Sequence, residues 1–424
     1  MDTTNQHADF DIGRRRFIFT ISMTMALAAL AIDITLPAFG QMRTDFGLAP
    51  DSSAVAPVIT FSLMGLALGA LAWGPLSDAL GRKAIVYSGI GVYVAGTIGS
   101  SLAPDLGVLY ITSFITGIGA SGARVVALSA VRDTHRGHQM AKTMSYVMAI
   151  FLLVPLVAPV IGATILRISD WRVIYLFIAI SGIAVLLLNT AMPETLPRAG
   201  RIPLSLGKLG EAALYVLRNR LTMGYTLAQT AVFGFFASYL ASSELLIADV
   251  FDKAAWFPLI FSGFAALLGL GVLLNNLLLN RWSLRTMLRI AFFGFVIVAM
   301  AFATMAWFTG GRPPLVVFLA MLGPLLVVHA LLIPNLNAAA LIPMGSVAGT
   351  ASAVIGAISL LGGSVIGSFI DRSFNGTITP FAFSALGLGL VALAFSWWAD
   401  RVWDSQTDED LSTVPPEAPI IPAS

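Results

Sequence analysis

The chain has 424 residues, of which 57% are apolar and only 11% charged, and its mean hydropathy is +0.87. A soluble domain carries about 25% charged residues, so this composition cannot clothe a water-facing surface and describes an integral membrane protein. The 24 Lys and Arg against 22 Asp and Glu leave a formal charge of +2, no basis for a nucleic-acid partner. The absence of Cys excludes disulfides, thiolate metal sites, iron–sulfur clusters and cysteine catalysis.

A helix that crosses the bilayer needs about 20 mostly apolar residues. Twelve stretches qualify, at about 17–39, 55–75, 84–103, 107–130, 143–166, 172–191, 221–244, 255–279, 287–308, 313–334, 345–369 and 379–399. The first follows Arg14, Arg15 and Arg16, as a signal peptide would. It is too long for a signal core, lacks a small-residue cleavage site before the next stretch, and is read as a retained helix. Cytoplasmic loops are enriched in Lys and Arg. With the N-terminus inside, 17 basic residues fall on the cytoplasmic side and 6 on the outer side, with Arg124 left inside a helix. Both termini are therefore expected in the cytoplasm.

The longest connection, residues 192–220, carries Pro193, Pro197, Pro203 and five basic residues, and divides the stretches evenly. That is the pattern of a tandem six-helix repeat. The expected plan is an all-α membrane protein of twelve transmembrane helices in two six-helix bundles. A cytoplasmic segment, 1–16, leads into the first bundle at 17–191; the linker at 192–220 joins the second bundle at 221–403; and a tail follows at 404–424. The tail holds Asp404, Asp408, Glu409, Asp410 and four prolines and reads as disordered.

Catalytic motifs are missing. The Gly207-Lys208 pair is followed by Leu209, so no phosphate-binding loop can be read. Gly117-Ile118-Gly119-Ala120-Ser121-Gly122 matches a dinucleotide pattern but sits inside an apolar stretch with no preceding strand; small residues that let helices approach explain it better. His7, His135, His138 and His329 form no metal-ligand spacing. The chain is expected to be no enzyme and to hold no cofactor and no metal.

Ionisable residues at membrane depth are functional candidates by default. Asp33, in Ala31-Ile32-Asp33-Ile34-Thr35-Leu36-Pro37, lies about 24 Å along the first helix, in its outer half. A carboxylate there is positioned to take up a proton from one side and release it to the other; the alternative is a structural acid bonded to a neighbouring helix. Arg124 lies about six residues from the inner end of the fourth stretch, and three roles are open to it. It binds an anionic substrate group, pairs with a carboxylate near the inner face, or extends to the cytoplasm with no special role. Glu244 and Asp249 flank the outer end of the seventh stretch, where solvation at the interface is expected. Gln229, Asn335 and Asn337, with Asn275, Asn276 and His329, are polar groups at depth that either line a cavity or bond between helices.

Between the second and third stretches stands Gly74-Pro75-Leu76-Ser77-Asp78-Ala79-Leu80-Gly81-Arg82-Lys83. Gly74 and Gly81 permit a tight turn, Asp78 suits a helix N-terminus, and Arg82 and Lys83 hold the loop at the cytoplasmic face. This decapeptide resembles the signature loop of the major facilitator superfamily. Other pieces are similar to its drug:proton antiporter branch of the bicyclomycin/chloramphenicol-resistance type. These are Asp33–Pro37, Arg132-Asp133, Ala158-Pro159 with Gly162, Trp171-Arg172, Pro193-Glu194-Thr195-Leu196, Pro334-Asn335-Leu336-Asn337 and Ala348–Ala353.

The resemblance implies the two-bundle major facilitator fold and a drug-exporting antiporter in the inner (plasma) membrane, working by alternating access. Its partners would be a small, amphipathic, neutral or cationic molecule, protons and the lipid bilayer, and the protein would act as a monomer. Asp33 would be the proton site; Asp33, Arg124, Gln229, Asn335 and Asn337 would line the cavity. Gly74, Asp78, Gly81, Arg82, Lys83 and Asp133 would form a conformational switch, with Asp78 docked at the start of the eleventh helix and Arg82 paired with Asp133. Pro159 and Gly162 would belong to the kinked antiporter helix. Many relatives of this kind place an arginine and a glutamine where this chain has Ser113 and Thr116, which leaves Asp33 without that basic partner. An exporter of an endogenous sugar or amino-acid derivative is the alternative in the same fold, and a non-transporting sensor the alternative outside it.

Overall fold

The computed structural model describes residues 13–403; the tail expected to be disordered and most of the expected N-terminal segment lie outside the described residues. Helix satisfies its interior backbone N–H and C=O groups within its own segment, one of the two solutions, with the closed β-barrel, open to an apolar chain in lipid. Among the described residues, twelve helices are long and apolar enough to span a membrane. Spans 1 to 6 are Arg15–Asp45, Ser53–Leu80, Arg82–Ser101, Leu106–Thr134, Gly137–Leu166 and Trp171–Thr190. Spans 7 to 12 are Arg220–Val250, Ala254–Leu279, Leu284–Phe308, Leu315–Gly345, Ala348–Arg372 and Thr379–Asp400. Side-chain caps mark several starts: Asp105, Asp170, Asn219 and Ser283 each accept a hydrogen bond from a backbone N–H of the first turn.

The packing repeats after six spans. In the first half, span 4 packs on spans 1, 2 and 3, span 1 also on spans 5 and 6, and span 3 on span 6. In the second half, span 10 packs on spans 7, 8 and 9, span 7 also on spans 11 and 12, and span 9 on span 12. The halves meet through span 2 against span 11 and span 5 against span 8, with spans 1 and 2 touching span 7. The chain is thus two six-helix bundles, as its hydropathy indicated.

Three helices depart from regularity. Span 1 ends its first helix at Asp33, turns through Leu36–Ala38 and resumes as Phe39–Asp45; Pro37 has no N–H to continue the ladder. Span 7 closes in a wide turn over Leu246–Val250, and span 10 kinks at Gly345. The linker is less open than its prolines suggested, because Leu206–Arg218 forms a helix that packs on spans 7 and 11.

Glycine sets how closely the first half is packed. A Cβ added at Gly117 would lie 2.1 Å from the Ser62 carbonyl oxygen, and one at Gly65 would lie 2.1 Å from that of Phe114. Spans 2 and 4 therefore touch backbone to backbone, the structural reason for the glycine run that mimics a dinucleotide motif. Gly117→Val should lower stability by about 1–3 kcal/mol through overpacking, measured by unfolding in detergent. Gly91→Ala, where the added carbon meets nothing within 4 Å, should leave it unchanged.

Candidate functional site

The loop between spans 2 and 3 is one residue long. Leu80 ends one helix, Arg82 begins the next, and Gly81 alone makes the turn at φ 102°. A side chain there would be strained, and its Cβ would fall 2.6 Å from both Arg201 and Glu194. Gly74, in contrast, lies inside the span 2 helix with open space about it, so it takes no part in the turn.

Arg82 gathers this end of the first half. Its Nε donates to Asp133 Oδ2 at 2.8 Å, and its Nη1 donates to Asp78 Oδ1 at 2.6 Å and to Ser77 Oγ at 2.9 Å. The expected Arg82–Asp133 pair is present. Asp78 is placed differently from the expectation: it accepts from Arg82 on its own helix boundary, and no bond from it to span 11 exists among the described residues. The carboxylate at the start of span 3 belongs to Glu194, whose two oxygens accept from the N–H groups of Arg82 and Lys83, a favourable position for an anion. Lys83 Nζ donates to the Thr190 carbonyl, and the Ile202 N–H to that of Asp78, so the linker is fastened to the loop.

The second half repeats the device with residues the sequence did not single out. At the same end, Asp400 accepts from Arg289 at 2.8 and 3.0 Å and from Tyr225 at 2.5 Å, and lies 3.6 Å from Arg285.

At the opposite end the halves are joined by charge. Arg43, on the short helix that ends span 1, donates to both oxygens of Glu244 on span 7, at 2.7 and 2.9 Å. Both side chains are 6% exposed, so Glu244 is a buried partner rather than the solvated interfacial acid expected. Asp249 is exposed, as expected. Asp371, near the end of span 11, is another buried carboxylate that hydropathy did not reveal; it accepts from Ser238 and Ser242 of span 7 at 2.6 and 2.5 Å.

Asp33 lies between these ends, 4% exposed and with no hydrogen bond or ion pair among the described residues. It stands where the first helix of span 1 stops, a terminus that offers carbonyls and not N–H donors. Across the seam, Tyr239 of span 7 is within electrostatic reach of it. The Tyr239 hydroxyl is itself buried without a partner among the described residues, and its ring stacks on Phe261 at 5.7 Å in an aromatic wall that continues through Phe264 and Phe236 to His329. Span 5 is fitted tightly beside Asp33: it stays helical through Pro155 and the buried Pro159, and a Cβ at Gly162 would lie 2.2 Å from the Ile34 carbonyl oxygen.

The other expected cavity residues divide. Asn335 donates to Asn275 at 2.6 Å and to the Leu331 carbonyl at 2.8 Å, so it is used between spans 8 and 10. Gln229 is buried with Oε1 unpartnered, Asn337 is half-buried, and Arg124 is half-buried with no polar partner among the described residues. Ser113 is buried on span 4.

Residues 21–367 match the sequence profile of the Major Facilitator Superfamily. The uncharacterized MFS-type transporter YdgK of Bacillus subtilis is 29% identical over 389 residues, covering 90% of this chain and 95% of that one. The bicyclomycin resistance protein homolog of Haemophilus influenzae is 27% identical over 380 residues, covering 87% and 92%. Among solved structures, the proton:xylose symporter XylE bound to 6-bromo-6-deoxy-D-glucose superposes with a TM-score of 0.71 at 17% identity, over 92% of this chain and 96% of that one. The chain belongs to the Major Facilitator Superfamily and is a multi-pass membrane transporter rather than an enzyme.

Proposed function

We propose that the protein exports small amphipathic molecules across the inner membrane in exchange for protons, by alternating access, with both termini in the cytoplasm. The observation that carries this reading is the solitary carboxylate of Asp33, buried at the seam between the halves beside an aromatic wall. A buried charge is costly unless it is paired, so a carboxyl without a cation is a group that exchanges a proton for stability. Binding of an amphipathic molecule against Tyr239 and its ring neighbours would compete with that proton. Kinship to a bicyclomycin resistance protein homolog supports a drug as cargo.

The ends of the bundles supply the two gates of such a cycle. The Arg43–Glu244 pair closes the outer seam, and breaking it is the step that opens the site outward. On the cytoplasmic side, Asp78 held by Arg82 is the part that would move to span 11 when the halves close there. Glu194 and Asp133 keep Arg82 fixed to the first half throughout. Entry of one proton contributes about 2.3 kcal/mol per 100 mV of membrane potential in addition to the pH gradient, enough to drive a solute uphill.

Two outcomes are expected. In energised everted vesicles carrying a pH-sensitive dye, addition of a transported drug releases protons through the chain as written and releases none through Asp33→Asn; persistent release in the variant places the coupling proton elsewhere. Glu244→Gln leaves Arg43 buried opposite a neutral group. Loss of one partner of a buried pair costs about 3–5 kcal/mol, borne here by the outward-closed state alone. A single cysteine introduced as Ser243→Cys in this Cys-free chain should then react with an impermeant maleimide from outside at least tenfold faster. An unchanged rate would mean that the pair is no gate.

A further inference from the structure

Away from the span ends, two formally charged side chains stand without a hydrogen-bond or ion-pair partner among the described residues, Asp33 and Arg124. The other carboxylates buried in the spans are satisfied, Glu244 by Arg43, Asp371 by two serines and Asp400 by Arg289, and the more exposed Asp133 is paired with Arg82. Asp33, the unpaired acid, makes no ion pair with Arg124, so of the roles its position leaves open, pairing within this conformation is removed among the described residues.

The direction in which Arg124 projects follows from its neighbours on the helix. Gly117 and Ser121 pack on span 2, against Ser62 and Gly69. Ala127 and Val131 pack with Phe17, Ile21 and Met25 of span 1. At 100° per residue, Arg124 falls between those two rows, toward the gap between spans 1 and 2. Those spans barely touch each other, and both touch span 7, so the gap faces the second half. Gly119 and Gly122 occupy the opposite side of the helix, against Tyr93 and Gly89 of span 3. One turn beyond Arg124 on the same stripe is Leu128, which packs against the same buried cluster of spans 1, 4 and 5 as half-buried Met144, Met148 and Phe151 of span 5. Long, unbranched, polarisable side chains of this kind adapt to varied apolar shapes.

We infer that Arg124 is an anion subsite of the transport pathway, and that the preferred cargo is an amphipathic molecule bearing a carboxylate or similar oxyanion. The inference rests on the export reading above, and it replaces the neutral or cationic cargo that the sequence suggested. The guanidinium offers a planar fork of N–H donors that matches a carboxylate with two parallel bonds, while Leu128 and the methionine-rich face of span 5 receive the apolar body. By helical rise, Arg124 is about 15 Å and Asp33 about 27 Å from the loop end of their spans. That offset of about 12 Å lets one extended cargo reach from the cation toward the aromatic wall beside the proton site. Export of an anion in exchange for an entering proton moves charge in the same sense twice, so the membrane potential would act on both ions.

The test uses purified protein without any proton gradient. Tryptophan fluorescence titration would compare three biphenylalkyl ligands of one skeleton, ending in carboxylate, methyl ester or trimethylammonium. The chain as written is expected to bind the carboxylate at least tenfold more tightly than the ester. Arg124→Gln should remove that preference while keeping the ester affinity, and Arg124→Lys should restore part of it. Asp33→Asn should keep the preference, so failure of the proton reading and failure of the anion subsite are told apart. A carboxylate preference that survives in Arg124→Gln, an equal loss for all three ligands, or no carboxylate preference in the chain as written would each overturn the inference.

Discussion

Lipid offers no hydrogen bonds, and that single constraint shapes the molecule. Every backbone N–H and C=O must be satisfied within a helix or against protein, so the chain becomes twelve spans, and each irregularity needs a local cause. Pro37 interrupts span 1 directly after Asp33, and Gly345 kinks span 10. Because apolar surface gains nothing by leaving hydrocarbon for another helix, association relies on close van der Waals contact. The near-touching backbones of spans 2 and 4 at Gly65 and Gly117, and of spans 1 and 5 at Gly162, are that contact.

The same constraint sorts the charges. Arg82 and Asp400 each collect several partners at one end of their half, where helices begin and end and polar groups are least expensive to hold. These clusters lie within a half or tie it to the linker, and do not join one half to the other. Arg43 and Glu244 belong to different halves, which makes their pair sensitive to relative motion. Asp33 and Arg124 have no hydrogen-bond or ion-pair partner among the described residues, and the partners proposed for them are a proton and a cargo anion.

Much of this was legible in the chain. Span positions follow from hydropathy because burial of about 20 apolar residues is a one-dimensional signal, and the even division at the linker foretold the repeat in packing. Asp33 was visible because one carboxyl in an apolar run is conspicuous, and Arg82 and Asp133 because their motifs are. Residue counting gives depth along a helix but not which helices face one another. That is why Glu244, 201 residues from Arg43, read as a solvated acid, and why Asn335, spent on Asn275, read equally well as a cavity residue. Asp371 escaped notice because the eleventh stretch was ended two residues short of it. The role of Glu194 was hidden for a related reason: a helix N-terminus reveals its capping acid only when both are placed in space.

In the proposed cycle, the Arg43–Glu244 pair would make a gate that is strong yet reversible. Two buried charges attract strongly at low dielectric, but burying them costs nearly as much as the attraction returns. When the seam opens, water enters and hydrates both Arg43 and Glu244, so the free energy of separation is the small difference between those large terms. A hydrophobic pair of equal volume would lose its contacts to water with no such compensation. An ion pair at the joint between two rigid halves therefore keeps the closed and open states within a few kcal/mol of each other. That is the range in which, on the proposed exchange, one proton and one cargo molecule, each binding the two states unequally, can drive the cycle.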